Sequence, residues 1–303
     1  MIEFSIPGFY HQKDVNNILF DLLDEHRNMF YDDIIINSSY DSFPCIWNGG
    51  RYIPMEDIKE ETIKNIINKY NNRGISIRHT FTNKYINETN INDYIGNCIL
   101  NISNDGSIKN GVNTNNNYFR DYIKQNYNNL YVIYSTTGRI KDIDMINNIS
   151  KDELIIPDYS INNKFEIIEH LEHPENIEFV TAEHCVENCP YRSLHYDIVS
   201  KQQMGLSYKN VISCCPDQKD IKDITKVFNY YTIVTKRKHF IGIDDIRNKY
   251  LPLGFNKFKL SGRTDNPISL IEKYVDFFVK PEYRDTIRFY FNFRYIYITV
   301  LCK

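Results

Sequence analysis

Short apolar runs recur along the chain roughly every 25 to 35 residues, at positions 3–6, 34–37, 75–79, 108–112, 130–134, 154–156, 177–180 and 257–260. Between most of them the apolar positions follow a helical period, as at Ile58, Ile63, Ile66, Ile67 and Tyr70 or at Val15, Ile18, Leu19, Leu22 and Leu23. Strands alternating with helices predict a parallel sheet, and eight such units predict a (β/α)8 TIM-like barrel, an α/β fold whose strand ends carry the chemistry.

The rhythm also predicts the organisation of the chain. Residues 1–280 read as one barrel, since such barrels take about 250 residues, and residues 281–303 as an extension packed on it. About 75 residues separate the seventh run from the eighth, far more than one βα unit requires, so residues 185–253 read as an insertion between strands 7 and 8.

Each strand ends in chemically mixed residues. The first is followed by Pro7, Gly8, Tyr10 and His11, and the second by Asp41, Cys45, Trp47 and the flexible Asn48-Gly49-Gly50-Arg51. The third leads from His79 to Thr80, Thr82 and Asn83, the fifth to Ser135, Thr136, Thr137 and Arg139, and the sixth to Asp158, with Ser160 placed to cap the next helix. The seventh delivers Glu183, His184 and Cys185.

Charge narrows the partners. The net charge is −3 and the lysines and arginines are dispersed, so nothing resembles the electrostatic footprint of a duplex-DNA binder; a small molecule or RNA stays open as substrate. No apolar run approaches the roughly 20 residues that span a bilayer, and the N-terminus lacks the pattern of an export signal, which predicts a cytoplasmic protein without membrane association. Seven cysteines in such a chain read as thiols or metal ligands rather than as a disulfide framework.

The sharpest chemical pattern is C-x3-C-P-Y-R-x2-H from Cys185 to His195, with Cys189 inside it and Cys214-Cys215 downstream. Clustered thiolates make a soft donor set that suits zinc or an iron–sulfur cluster. Cys45 is the candidate fourth ligand, because the loops after strands 2 and 7 open on the same face of a barrel; Cys98 and Cys302 read as structural. His184 and His195 are candidate acids, bases or ligands, with His79 behind them. Arg51, Arg139, Arg192 and Arg263 fall at strand ends or in the insertion, where converging guanidiniums clamp carboxylate or phosphate. The motifs of nucleotide binding, zinc proteolysis and serine hydrolysis are missing.

Several segments together resemble the family called peptidase U32. The stretch GFNKFKLSGR at 254–263 is similar to its G-x-x-x-F/L-K-I-E-G-R, with Ser261 where Glu is usual. NNLYVIYSTTGRIKDID is similar to its strand ending in S-T-Q, with Thr137 for Gln; ELIIPDYSINNKFEII to its L-x-R-E-L-S-x-x-E-I, with Pro157-Asp158 for Arg-Glu. EFVTAEHCVENCPYR stands where the family has F-V-H-G-x-x-C-x-x-x-S-G-x-C, with the cysteines closer and the Gly missing. The resemblance implies a TIM-like barrel and, as in the branches that hydroxylate quinone precursors and RNA, a 4Fe-4S cluster held by four cysteines.

The reading is therefore an iron–sulfur enzyme acting by redox or hydroxylation chemistry on a small polar or anionic, RNA or quinone-type substrate. Its cluster is expected on Cys45, Cys185, Cys189 and one of Cys214 and Cys215. His184, His195, Lys259 and Asp158 are the expected catalytic residues, and Arg51, Arg139, Arg263 and Ser135 the expected substrate contacts. Lys259 and Ser261, two apart on a strand, should share a face, with Lys259 at the mouth meeting Asp158 or a substrate anion. A metal-assisted hydrolase using His184 or His195, and a non-catalytic protein stabilised by zinc, are the alternatives.

Overall fold

The protein is described here by a computed structural model covering residues 1–206, 231–263 and 266–301. Eight parallel strands run in chain order: β1 (Ile2–Pro7), β2 (Ile34–Asp41), β3 (Ser76–Thr80), β4 (Asn110–Thr114), β5 (Leu130–Tyr134), β6 (Leu154–Ile155), β7 (Glu178–Thr181) and β8 (Lys257–Leu260). They neighbour one another in the order β6-β5-β4-β3-β2-β1-β8-β7, and a parallel bridge between Ile155 and Ile177 brings the two ends together. The result is the expected (β/α)8 barrel, nearly closed.

The fourth strand begins two residues later than its apolar run. The run at 108–112 becomes a strand at Asn110–Thr114, because buried Asn110 acts as a polar staple. Its Nδ2 donates to Asn71 Oδ1 (3.1 Å) and to the Ser103 carbonyl (2.9 Å), while its Oδ1 accepts from the Ile77 amide (2.8 Å). A buried amide fully paired in this way costs little to bury and fixes the register of β3 against β4.

The helices α1 (Lys13–Glu25), α2 (Glu60–Asn71), α3 (Tyr94–Asn104), α4 (Asn117–Asn126), α5 (Ile143–Ser150), α6 (Phe165–Ile168), α7 (Arg192–Gln203) and α8 (Pro267–Phe278) surround the strands. Side-chain caps start several of them: Asn116 accepts from the Phe119 amide, Asp142 from Met145 and Asn266 from Ile268. The apolar core lies between strands and helices, where Phe4 meets Phe277 and Phe278 edge-on and Phe258 at a tilt. A final helix, α9 (Arg284–Ile296), lays Ile287 and Phe291 onto this layer and forks Arg294 onto Glu25 of α1.

The barrel interior is unusually polar. Arg78 on β3 pairs with Glu178 on β7, both buried, and Arg78 Nε also donates to the Tyr131 hydroxyl at 2.8 Å. Nearer the strand starts, Asn37 Nδ2 donates to Glu3 Oε2 at 2.7 Å. Barrels of this type are more often filled by branched apolar side chains. Among the described residues no helix is long and apolar enough to cross a membrane.

Candidate active site at the C-terminal mouth

The strand ends meet in a cleft of about 150 Å³ lined by Tyr40, Thr80, Ser135, Glu183, His184, Lys259, Ser261 and Arg263, with Arg51 from the β2–α2 loop and Arg192, His195 and Tyr196 from α7. Strand alternation explains the β8 part: Phe258 and Leu260 face the helices, while Lys259, paired in register with Ser5 and Val180, faces inward. Helical period explains the α7 part, since residues three and four apart share a face, as Arg192, His195 and Tyr196 do.

Arg192 is the most tightly held cation. It pairs with Asp158 at 2.7 Å, donates through Nε to the Tyr196 hydroxyl (3.0 Å) and through Nη2 to the Thr136 carbonyl (3.1 Å), and lies over the Tyr159 ring at 4.1 Å. Asp158 also accepts from the Ser160 amide, so the carboxylate rather than Ser160 caps the turn after β6. Asp158 is thus taken by Arg192, and the expected Asp158–Lys259 contact gives way to this pair.

Arg263 donates to the Ser42 hydroxyl (3.2 Å) and to Thr80 Oγ1, with Asp41 at 3.9 Å. Burial pushes its pKa down; Asp41 opposes this and the neighbouring Arg51 adds to it. Asp41, fully buried, is largely spent elsewhere: it accepts from the Tyr10 and His11 amides (3.1 and 2.8 Å) and lies 3.0 Å from His11 Nδ1. Desolvation works against the charge of half-buried Arg51, but Glu183 together with Tyr196, Cys185 and Tyr40 more than offsets it and leaves the pKa raised. Glu183 in turn stays ionised against burial through Arg51, and its Oε1 accepts from the His184 and Cys185 amides.

Lys259 differs from these cations. It is 7% exposed and its Nζ sits 3.8 Å from the centre of the Tyr40 ring, with no carboxylate at ion-pair distance among the described residues. Burial drives its pKa down to about 7; Glu178 and Glu183 resist, whereas Arg78 and Arg263 reinforce the fall. His195, depressed to about 4 by burial and then by Arg51 and Arg192, is neutral at physiological pH. His184 Nε2 lies 2.5 Å from Nζ of Lys273 on α8, which also donates to the Ser261 carbonyl at 2.9 Å.

The backbone is set for this arrangement. Ala182 adopts φ 50°, a left-handed conformation that costs about 1–3 kcal/mol in a non-glycine residue, and it turns the chain so that Glu183, His184 and Cys185 enter the mouth. Gly49 touches the chain just after β3: a Cβ there would lie 2.4 Å from the Thr82 carbonyl oxygen and 2.5 Å from the Asn83 amide, so only glycine lets the Arg51 loop lie so close.

The structure gathers His184, His195, Lys259, Arg51, Arg263, Ser135 and Cys185 around one cleft. Arg139 and Cys189 line the adjoining pocket with Asp158 and Arg192. His79 is fully buried against Phe81, Phe43 and Ser103 and serves the core. Tyr40, Tyr196 and Lys273 are not among the residues expected at the site, and Thr80 and Glu183 are expected there only as strand-end residues without a role. Only the face shared by Arg192, His195 and Tyr196 and the position of Glu183 beside His184 were signals available in the sequence.

The donor set expected for a cluster does not come together among the described residues. Cys45 is completely buried, with its sulfur 3.5 Å from Asp93 Oδ2 and 3.4 Å from the Trp47 amide, and it does not line the cleft. Burial raises its thiol well above the ordinary range, which suits a core residue. Cys185 is pushed up to about 11, chiefly by burial, and senses Cys189 nearby. Cys214 and Cys215 lie outside the described residues, and within those residues no group of three His, Cys, Asp or Glu is arranged to hold a metal ion. Of the expected ligands, Cys185 thus lines the cleft, Cys189 the adjoining pocket and Cys45 the core.

The sequence matches no protein-family model and no curated protein. Among solved structures, citrate synthase SbnG aligns with 86% of this chain and 86% of its own at 10% identity, with a TM-score of 0.26, too loose to bear on the fold. The U32 peptidase Mk0906 aligns with 88% of this chain and 94% of its own at 13% identity, with a TM-score of 0.50; the chain shares the barrel fold of that protein.

Proposed function

We propose that the chain is an enzyme that binds a small anionic substrate at the C-terminal mouth of its barrel, with Arg51, Arg192 and Arg263 holding the anion and Lys259 acting on it as a neutral amine. The observation that carries this reading is the charge balance of the cleft. Three arginines, Arg51, Arg192 and Arg263, line it beside Lys259 against one lining carboxylate, Glu183; Asp158 offsets Arg192 from behind, and Asp41 is largely held by the Tyr10 and His11 amides. Burying that much positive charge is costly without an anion, and a carboxylate or phosphate supplies one with the two-pronged geometry that guanidinium prefers.

His195, neutral and beside two arginines, is suited to accept or relay a proton from the bound substrate. The hydroxyls of Thr80, Ser135 and Ser261 complete a lining that orients a polar ligand. The name of the U32 peptidase that shares the fold brings peptide hydrolysis into view, yet nothing in the cleft favours it over other chemistry on an anion.

The reading is tested by titrating the protein with pyruvate, oxalate and phosphate by calorimetry. Saturable binding is expected, weakened about 10- to 100-fold in Arg263→Met and in Arg51→Met, the worth of a charge-assisted hydrogen bond, and unchanged after treatment with a metal chelator. Binding indifferent to both substitutions would reject it.

A further inference from the structure

Resting on the anion-cleft reading above, we propose that Lys259 is a carbonyl-reacting amine and that the cleft takes small 2-oxo carboxylates as imines on its Nζ. The argument begins with position. Lys259 stands on a barrel strand, held in register with β1 and β7, so its stem is fixed and its amine opens into the cleft. The Tyr40 ring covers one side of Nζ at 3.8 Å, and the Tyr40 hydroxyl is itself anchored on the Leu260 carbonyl at 2.9 Å. No carboxylate binds the amine among the described residues.

A lysine in a desolvated site beside other cations is the arrangement that frees an amine lone pair near neutral pH. Here burial, Arg78 and Arg263 bring the amine to about 7, against roughly 10.4 for an ordinary lysine. Lys273, the other buried lysine at this mouth, lies against His184 and donates to the Ser261 carbonyl, so its nitrogen is engaged away from such a role.

The neighbours choose the substrate. Arg263, four residues on from Lys259, and Arg51 face the same small cavity. An anion seated on them leaves room for only a few carbons, and a reactive carbon adjoining the carboxylate would lie next to Nζ. A 2-oxo acid has that connectivity. In the reaction the lone pair of the neutral amine forms a bond to the carbonyl carbon, the nitrogen loses two protons, and the carbonyl oxygen leaves with them as water. Thr80, Ser261, Tyr196 and neutral His195 line the path those protons take.

The experiment is reductive trapping of the full chain with glyoxylate, pyruvate and 2-oxobutyrate in the presence of borohydride, read by intact mass and peptide mapping. The expected product is a single adduct, heavier by the oxo acid less one oxygen atom (water lost on condensation, two hydrogens gained on reduction), mapping to Lys259. It should be suppressed by excess oxalate and absent from Lys259→Arg, with circular dichroism reporting whether that variant folds. Its rate should climb between about pH 6 and 8, the range around the Lys259 amine, whereas a surface lysine would require about pH 10. Adducts on Lys273 or on surface lysines, or adducts with none of the three acids, would overturn the proposal. Calorimetric binding of the same acids without an adduct would reject imine formation while leaving the anion-cleft reading intact; absence of both would reject the two together.

Discussion

The Lys259 amine bears a large electrostatic penalty on burial. Lys259 is protonated freely in the unfolded chain up to about pH 10.4 but only up to about pH 7 in the folded one. Between those values the unfolded state binds more protons, so stability rises as pH rises from about 7 towards 10 and the full cost is present below 7. Lys259→Met keeps the stem and removes the charge. It should therefore stabilise the fold by about 1–3 kcal/mol at pH 6, with the gain shrinking towards pH 9, while abolishing activity. Denaturant titrations at the two pH values measure this, and a variant less stable at pH 6 would refute it. Such a trade of stability for reactivity is the common price of a functional site. Residue identity also explains Cys45: beside Ile46 and Trp47 it packs as a small apolar group, and Trp47 in turn covers Gly96 so closely that no Cβ would fit.

At the scale of elements, the β2–α2 loop decides whether the mouth is complete, since it carries Arg51. Three ties hold it. Gln203 at the end of α7 makes two hydrogen bonds of 2.9 Å to the Ile53 backbone, one to each polar group. Asn83 donates to the Ile46 carbonyl at 2.8 Å and to the Ser200 carbonyl at 3.0 Å, joining loop, β3 end and α7. Gly49 lies directly on the chain just after β3. Gly49→Ala forces backbone to move, because the atoms it would meet are a carbonyl and an amide rather than a yielding side chain. We expect a loss of about 1–3 kcal/mol in stability and a weakening of anion binding comparable to that of Arg51→Met. An alanine variant with unchanged affinity would show that the loop does not deliver Arg51 to the ligand.

For the molecule as a whole, the barrel is closed around charge rather than grease. Arg78 and Glu178 come from strands on opposite sides of the ring, and their pairing spans the interior beneath Lys259. Removing one partner leaves a buried ion uncompensated, so Glu178→Gln should cost about 3–5 kcal/mol. It also removes the nearest carboxylate that supports the Lys259 ammonium, so the amine should titrate lower still, visible as a downward shift in the pH midpoint of reductive trapping. A stable variant with an unmoved midpoint would contradict both statements. Glu178→Ala with Arg78→Met, which removes both charges, should recover part of the stability lost.

What the sequence determined by itself is the periodic part. The alternation of eight apolar runs with helical stripes specifies a βα repeat, because hydrophobic burial at periods of two and of about 3.6 is local information. The GFNKFKLSGR stretch located Lys259 on its strand and, through the pleat, pointed it inward. Tertiary structure decided which neighbours each charge meets. That Asp158 belongs to Arg192 and not to Lys259, that Cys45 turns into the core beside Asp93, and that Glu183 holds Arg51 all depend on contacts between residues tens to over a hundred positions apart. No local spacing encodes them. A thiol or a carboxylate has the same chance of lying near a loop end in sequence whether it faces a cleft or a core, and desolvation, which gives Lys259 its reactivity, exists only once the barrel has closed around it.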